Sequence, residues 1–213
     1  MSEHVTVRRD GAVVEIEIDR PPVNALDAAA SQALGEAIDA ADRDPGVAAV
    51  ILTGAGDRCF CAGADLNEPD PPSGAAPPDP PGGWGGMLSR HDAVTPVIAA
   101  VNGHAVGGGF ELALACDLIV AAEQAEFWLP EVALGIAPDP DSLPRLFARL
   151  PRTVGMELLL TGRRMTAAEA ARRGLACAVA PRGGAAAAAR ELAQPIAAAP
   201  AGSVAEVLRL ARG

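Results

Sequence analysis

A chain of 213 residues, half of them hydrophobic, can bury a sizeable core in one domain and is not disordered throughout. Its formal charge is −10, its 17 basic residues are all arginine, and no basic stripe runs through it, which argues against nucleic acid as a partner. No uninterrupted apolar run is long enough to cross a bilayer, and the start, MSEHVTVRRDG, does not read as a secretory leader, so a cytoplasmic protein without a membrane partner is expected.

Val14, Ile16 and Ile18 alternate with Glu15 and Glu17, the pattern of a half-exposed strand over 12–18 that pairs with 5–9. Leu34, Ala37, Ile38 and Ala41 recur at helical spacing, which predicts an amphipathic helix over 27–42. An apolar run over 47–52 predicts a strand stopped by Thr53-Gly54-Ala55-Gly56. That run opens like a dinucleotide fingerprint, but position 59, where a third glycine belongs, is Cys59, and no helix begins there. Cys59, Cys61, Cys116 and Cys177 form neither a secreted disulfide framework nor a zinc spacing with a nearby histidine, so buried thiols and no metal are expected. Residues 69–86, PDPPSGAAPPDPPGGWGG, read as a long surface loop. A strand over 97–101, a helix from about 108 to 116 and a strand over 118–122 follow. The remainder is mostly helical. Thr166-Ala167-Ala168-Glu169 is a capping-box pattern, Gly174 a helix stop and 176–180 a short strand, and the alanine-rich tail is a helix interrupted at Pro195 and Pro200. An α/β or α+β layered fold follows.

Two carboxylates stand where surface residues are not expected. In VNGHAVGGGFELALACD (101–117), Glu111 lies in the first turn of an apolar helix behind three glycines. A helix N-terminus offers unpaired N–H groups and partial positive charge, and glycine lets a ligand come close to them. A negative oxygen held there is stabilised as an oxyanion is, with Glu111 one turn further in. The plainer alternative is that the glycines serve close packing and Glu111 is solvated. Glu131 ends the apolar stretch Phe127-Trp128-Leu129-Pro130. Two carboxylates facing one site divide acid and base work when their surroundings separate their pKa values, although spacing alone also allows two unrelated surface glutamates.

Three blocks, CAGADL (61–66), PVIAAVNGHAVGGGFELALACD (96–117) and FWLPEVALGIAPD (127–139), resemble in order and spacing the enoyl-CoA hydratase/isomerase (crotonase) superfamily. RPPVNALDA, the loop ending GGW, FELALACD, LPEVALGIAPD and LLLTGRRMTAAEA most resemble its carnitinyl-CoA dehydratase (crotonobetainyl-CoA hydratase) branch. The resemblance implies an α/β fold: a crotonase-like spiral of ββα turns over 1–182 and a shortened helical C-terminal segment over 183–213. It implies an oxyanion hole made by the N–H groups of Ala64 and Gly108, which would hold a thioester carbonyl. Glu111 and Glu131 would be catalytic, the first mainly as base on water and the second delivering a proton to Cα. The implied substrate contacts are Ala62, Asp65 and Leu66 along the coenzyme A, joined by Gly107, Trp84, Trp128 and Asp139. The implied reaction is reversible hydration of a 2-enoyl-CoA, with enoyl-CoA isomerisation or non-catalytic acyl-CoA binding as alternatives. No metal or separate cofactor is implied, coenzyme A being part of the acyl-CoA substrate, and the implied assembly is a homo-oligomer, trimer or hexamer.

The pattern departs from the family at three places. Asp141-Ser142 replaces glycines after the second glutamate's block; either residue is expected to cap the next helix, the other reading being that added carboxylates raise a glutamate's pKa or alter the substrate. Asn67 stands where a basic residue often follows the adenine-lining segment, so phosphate contacts are expected from arginines elsewhere or from a neighbouring subunit, or are weak. The chain reaches Gly213 short of the helices that usually cover the acyl group. Trp84 and Trp128 are the aromatic surfaces available to a quaternary ammonium, with plain apolar packing as the alternative for each.

Overall fold

The inner strands 13–18, 49–54 and 97–101 of the main sheet are buried along nearly their whole length, the signature of a sheet covered on both faces. The structure, a computed structural model, describes residues 4–68 and 78–212. The strands are β1 (Val5–Asp10), β2 (Val13–Ile18), β3 (Ala49–Gly54), β4 (Cys59–Cys61), β5 (Val97–Val101), β6 (His104–Val106), β7 (Leu118–Ala122), β8 (Glu126–Trp128), β9 (Met165–Thr166) and β10 (Ala178–Ala180). The helices are α1 (Ala28–Arg43), α2 (Gly108–Ala115), α3 (Ser142–Arg149), α4 (Arg152–Thr161), α5 (Ala167–Arg172), α6 (Ala185–Ala197) and α7 (Ala201–Arg212).

Two mixed sheets form. The larger runs β1-β2-β3-β5-β7-β10, with β1 antiparallel to β2 and the rest parallel. The smaller runs β4-β6-β8-β9, parallel except for the last pair. The period of two splits the large sheet's side chains between two cores. Val14, Ile16, Ile18, Val50, Leu52, Val97 and Val101 share one core with Leu34 and Ile38 of α1 and with Phe60, Phe110 and Phe127. Val13, Ala49, Ile51, Ile98, Ala100 and Val120 share the other with Ala185, Ala189 and Ala193 of α6. Those alanines recur every four residues, so they line one helix face and let α6 lie close to the strands.

This second core corrects one expectation. β2 is not half-exposed: Glu15 is buried, because α6 covers its face and Arg190 reaches it, Nε donating to Oε2 at 2.9 Å and Nη2 lying 2.6 Å away. Arg190→Ala would leave that carboxylate with the weaker pairing to Arg8 Nη1, 3.9 Å away. We expect a loss of about 1–3 kcal/mol, read as a lower urea midpoint.

The expected helix over 27–42 forms as α1, with Asp27 accepting from the Ala30 N–H at 2.8 Å, and Thr166 caps α5 by accepting from the Glu169 N–H. The predicted break at Pro195 does not occur. Pro195 lies in the last turn of α6, where its missing N–H removes one hydrogen bond only, and the chain turns instead at Pro200, between α6 and α7. Cys59, Cys61 and Cys116 are buried as expected, whereas Cys177 is exposed. Of the expected surface loop over 69–86, residues 69–77 lie outside the described residues; 84–86 form a short 3-10 turn packed on α1.

Candidate active site

The small sheet and α2 converge on the glycine cluster. Gly107 turns the chain out of β6 at φ +53°, its N–H donating to the Trp128 carbonyl at 3.0 Å. Its own carbonyl accepts from Phe110 and Glu111 N–H groups, so the N–H groups of Gly108 and Gly109 begin the helix with no partner among the described residues. The segment 63–65 comes in beside them. Leu26 donates to the Gly63 carbonyl at 2.8 Å and accepts from the Asp65 N–H at 2.9 Å. This parallel bridge uses the groups on either side of Ala64 and leaves the Ala64 N–H, which points away from Leu26, without a partner among the described residues. A Cβ on Gly63 would stand 3.1 Å from the Gly108 nitrogen, so the two backbones touch where the free amides lie.

Asp65 has a holding role. Its Oδ2 accepts from Arg20 Nη1 at 2.7 Å while Arg20 Nη2 lies 2.8 Å from Asp27, tying this loop to the cap of α1. Arg20 holds the Asp65 carboxyl below the usual carboxylate range. The Ala62 N–H is spent on the Val23 carbonyl, and Leu66 is 76% exposed.

Glu111 and Glu131 are brought together, each nearly sealed from water at 5% and 7% exposure. Glu131 enters from a short 3-10 turn, Glu131–Leu134, and its Oε1 would lie 2.7 Å from a Cβ on Gly107; only glycine leaves that room. Glu131 Oε2 is buried without a hydrogen-bond partner among the described residues. Glu111 Oε1 accepts twice, from the Asp139 N–H at 2.8 Å and from the Ser142 hydroxyl at 2.7 Å. Burial pushes the Glu111 carboxyl up to about 7, with Glu131 and Asp139 adding to the rise and the two donors opposing it; burial also raises Glu131. Trp84 closes one side, since a Cβ on Gly108 would meet its ring atoms at 2.9 Å. A cavity of about 170 Å³ adjoins its ring, walled also by Ala28, Ser31 and Glu68.

Trp128 does not join this group. Its ring packs edge-on to His104, and the Arg164 guanidinium lies 4.3 Å above it. The helix-cap expectation for Asp141 and Ser142 also fails. Asp141 makes no side-chain cap and instead accepts from the Ser89 hydroxyl at 2.7 Å. Ser142, 2% exposed, turns inward to Glu111, and Asp139 takes up the turn by accepting from the Asp141 N–H at 2.8 Å. A serine before a helix reads from sequence as a cap; the buried carboxylate that redirects it lies 31 positions earlier. Ser142→Ala removes a donor from the ionised form of Glu111, so its pKa moves further up. The acidic limb of a pH–rate profile should shift to higher pH, with activity at pH 7 several-fold lower.

A model of the enoyl-CoA hydratase/isomerase family matches residues 8–210, and the chain belongs to that family. It is 48% identical over 181 residues to a carnitinyl-CoA dehydratase of Proteus mirabilis, a match covering 82% of this chain and 66% of that protein, and 47% identical over 198 residues to the one of Salmonella typhi, covering 92% and 75%. The chain thus spans about two thirds of the length of the first curated relatives. Its fold superposes on a carnitinyl-CoA hydratase from Mycobacterium avium with TM-score 0.90 at 44% identity, covering 99% of this chain and 81% of the other. An enoyl-CoA hydratase from Mycobacterium marinum gives TM-score 0.90 at 39% identity over 99% and 82%. The fold is the α/β crotonase fold that the sequence blocks implied.

Proposed function

We propose that the chain is a hydro-lyase that reversibly adds water to a 2-enoyl-CoA thioester, with a carnitine-type acyl group as the first substrate to test. The observation that carries the reading is the pair of buried carboxylates, Glu111 and Glu131, gathered at an N-terminus whose first amides have no partner among the described residues. The Ala64 and Gly108 N–H groups grip the thioester oxygen and draw electron density from the C=C bond, so Cβ becomes electrophilic. Glu111, ionised and fixed through Oε1 by Asp139 and Ser142, accepts a proton from the water as its oxygen bonds to Cβ. The electron pair passes to the thioester as an enolate, and protonated Glu131 delivers its proton to Cα. Water's two hydrogens and its oxygen are thereby accounted for once a proton returns from Glu111 to Glu131 through solvent. Raised proton affinity at both groups suits a pair that starts with one proton between them.

Trp84 offers an aromatic wall beside the amides, worth about 0.5–2 kcal/mol to a quaternary ammonium. Val132, Leu134 and Ile136 stand exposed just after Glu131, an apolar patch suited to a further copy in a trimer or hexamer. The test is a product assay of the purified protein with crotonyl-CoA, crotonobetainyl-CoA and a 3-enoyl-CoA. Formation of the 3-hydroxyacyl thioesters is expected. Double-bond migration alone would mark an isomerase, and binding without any conversion a non-catalytic relative.

A further inference from the structure

A cavity of about 470 Å³ lies on the other side of α3, between the C-terminal end of α2, the segment at Arg90 and the end of α7. Its wall carries four guanidinium groups: Arg90, Arg145, Arg149 and Arg212. Two of them are answered directly by carboxylates. Arg90 pairs with Asp39 and Asp42, and Arg212 grips Asp117 through Nη2 at 2.7 and 2.9 Å. The other two are not. Arg145 donates to the carbonyls of Leu88, Arg90 and Asp141, and Arg149 to those of Cys116 and Asp117. Neither makes an ion pair among the described residues. Two carboxylates share the wall: Asp117 is held by Arg212 and the Val97 N–H, and Asp141 accepts from the neutral Ser89 hydroxyl. Arg145 and Arg149 are four apart on α3, so both point from one helix face. Burial lowers the pKa of each; for Arg145 the nearby Asp141 opposes that fall, and Arg149 and Arg212 add to it.

A guanidinium has five N–H donors, and among the described residues Arg149 makes hydrogen bonds only through Nη2, while its side chain lines the cavity. Four guanidinium groups around one hollow, against two carboxylates in the same wall, suit the several oxygens of a phosphoryl group better than a single carboxylate. We infer that this cavity is a binding site for a phosphoryl oxyanion, separate from the Glu111–Glu131 pair. The floor of Leu114, Ala115 and Pro144 leaves room for an organic body attached to it. The site does not depend on the reaction proposed above.

The probe is inorganic pyrophosphate, titrated into the full chain and followed by calorimetry and thermal melting, with sodium chloride at matched ionic strength as control. Saturable binding and a rise in Tm are expected. Affinity should fall at least tenfold in Arg149→Gln. It should fall as far in Ala148→Glu, which puts a negative charge on an exposed cavity residue and removes no structural contact. Titrating coenzyme A into wild type and Ala148→Glu separates the two sources of phosphate. Equal affinity assigns the site to a separate phosphorylated ligand, and weakened affinity assigns it to a phosphate of coenzyme A itself. No saturable binding of pyrophosphate by wild type, or unchanged affinity in both variants, overturns the inference.

Discussion

Glu111→Gln and Glu131→Gln should each lower turnover of an enoyl-CoA by about 10²–10⁴-fold while leaving acyl-CoA affinity within a few-fold of wild type. Both changes keep the side-chain shape, so the hydrogen bonds from Asp139 and Ser142 to the Oε1 position persist, and only proton transfer is lost. The two variants should differ in stability. The Glu111 carboxyl, ordinarily near 4.5, is raised to about 7 in the fold. A raised acid stabilises the fold most fully below its unfolded pKa, and that contribution is lost as pH rises through the folded value. Above pH 7 wild type therefore carries a buried charge that Glu111→Gln lacks. The variant should melt higher than wild type at pH 8, and the gap should shrink toward pH 5. Inactivity with a lower Tm at pH 8 would point to a broken site instead of a missing base.

Gly109→Ala should cost stability on the order of 3 kcal/mol and abolish activity by moving α2. A Cβ there would fall into the Cys61 carbonyl group, 2.5 Å from its carbon and 2.9 Å from the Cys61 Cβ. Both partners are fixed: Cys61 lies in β4, paired to β6, and Gly109 is in the first turn of α2. Neither can give way as a side-chain tip could, which places this clash at the top of the usual overpacking range of about 1–3 kcal/mol. Gly107→Ala meets the Glu131 carboxylate instead and also strains the backbone at φ +53°, so it should lower both activity and stability. Urea melts of both variants beside their rates separate the two effects.

These glycines show what was legible in the sequence. Their run before an apolar helix left two readings open, a ligand's approach and close packing; Gly109 against the Cys61 backbone is close packing. The family blocks carried the fold, because three motifs in fixed order constrain topology far more than periodicity does. The alternation in β2 was read correctly as a strand and incorrectly as half-exposed, since the residue that answers Glu15, Arg190, lies 175 positions away. The smaller sheet escaped notice because its strands have two or three residues each, too few to show a period. Ser142 and Trp128 mark the same limit. Type and spacing gave a cap and an aromatic face, whereas the fold turns the serine onto Glu111 and gives the indole to Arg164.

The claim that matters most is that the amides of Ala64 and Gly108 polarise a thioester held beside the two glutamates. Infrared difference spectroscopy of crotonyl-CoA labelled with ¹³C at the carbonyl, bound to the Glu111→Gln variant, reads that polarisation at the bond itself. The account predicts a carbonyl stretch shifted to lower frequency than in free crotonyl-CoA; a bound thioester whose carbonyl vibrates as it does in water would contradict it.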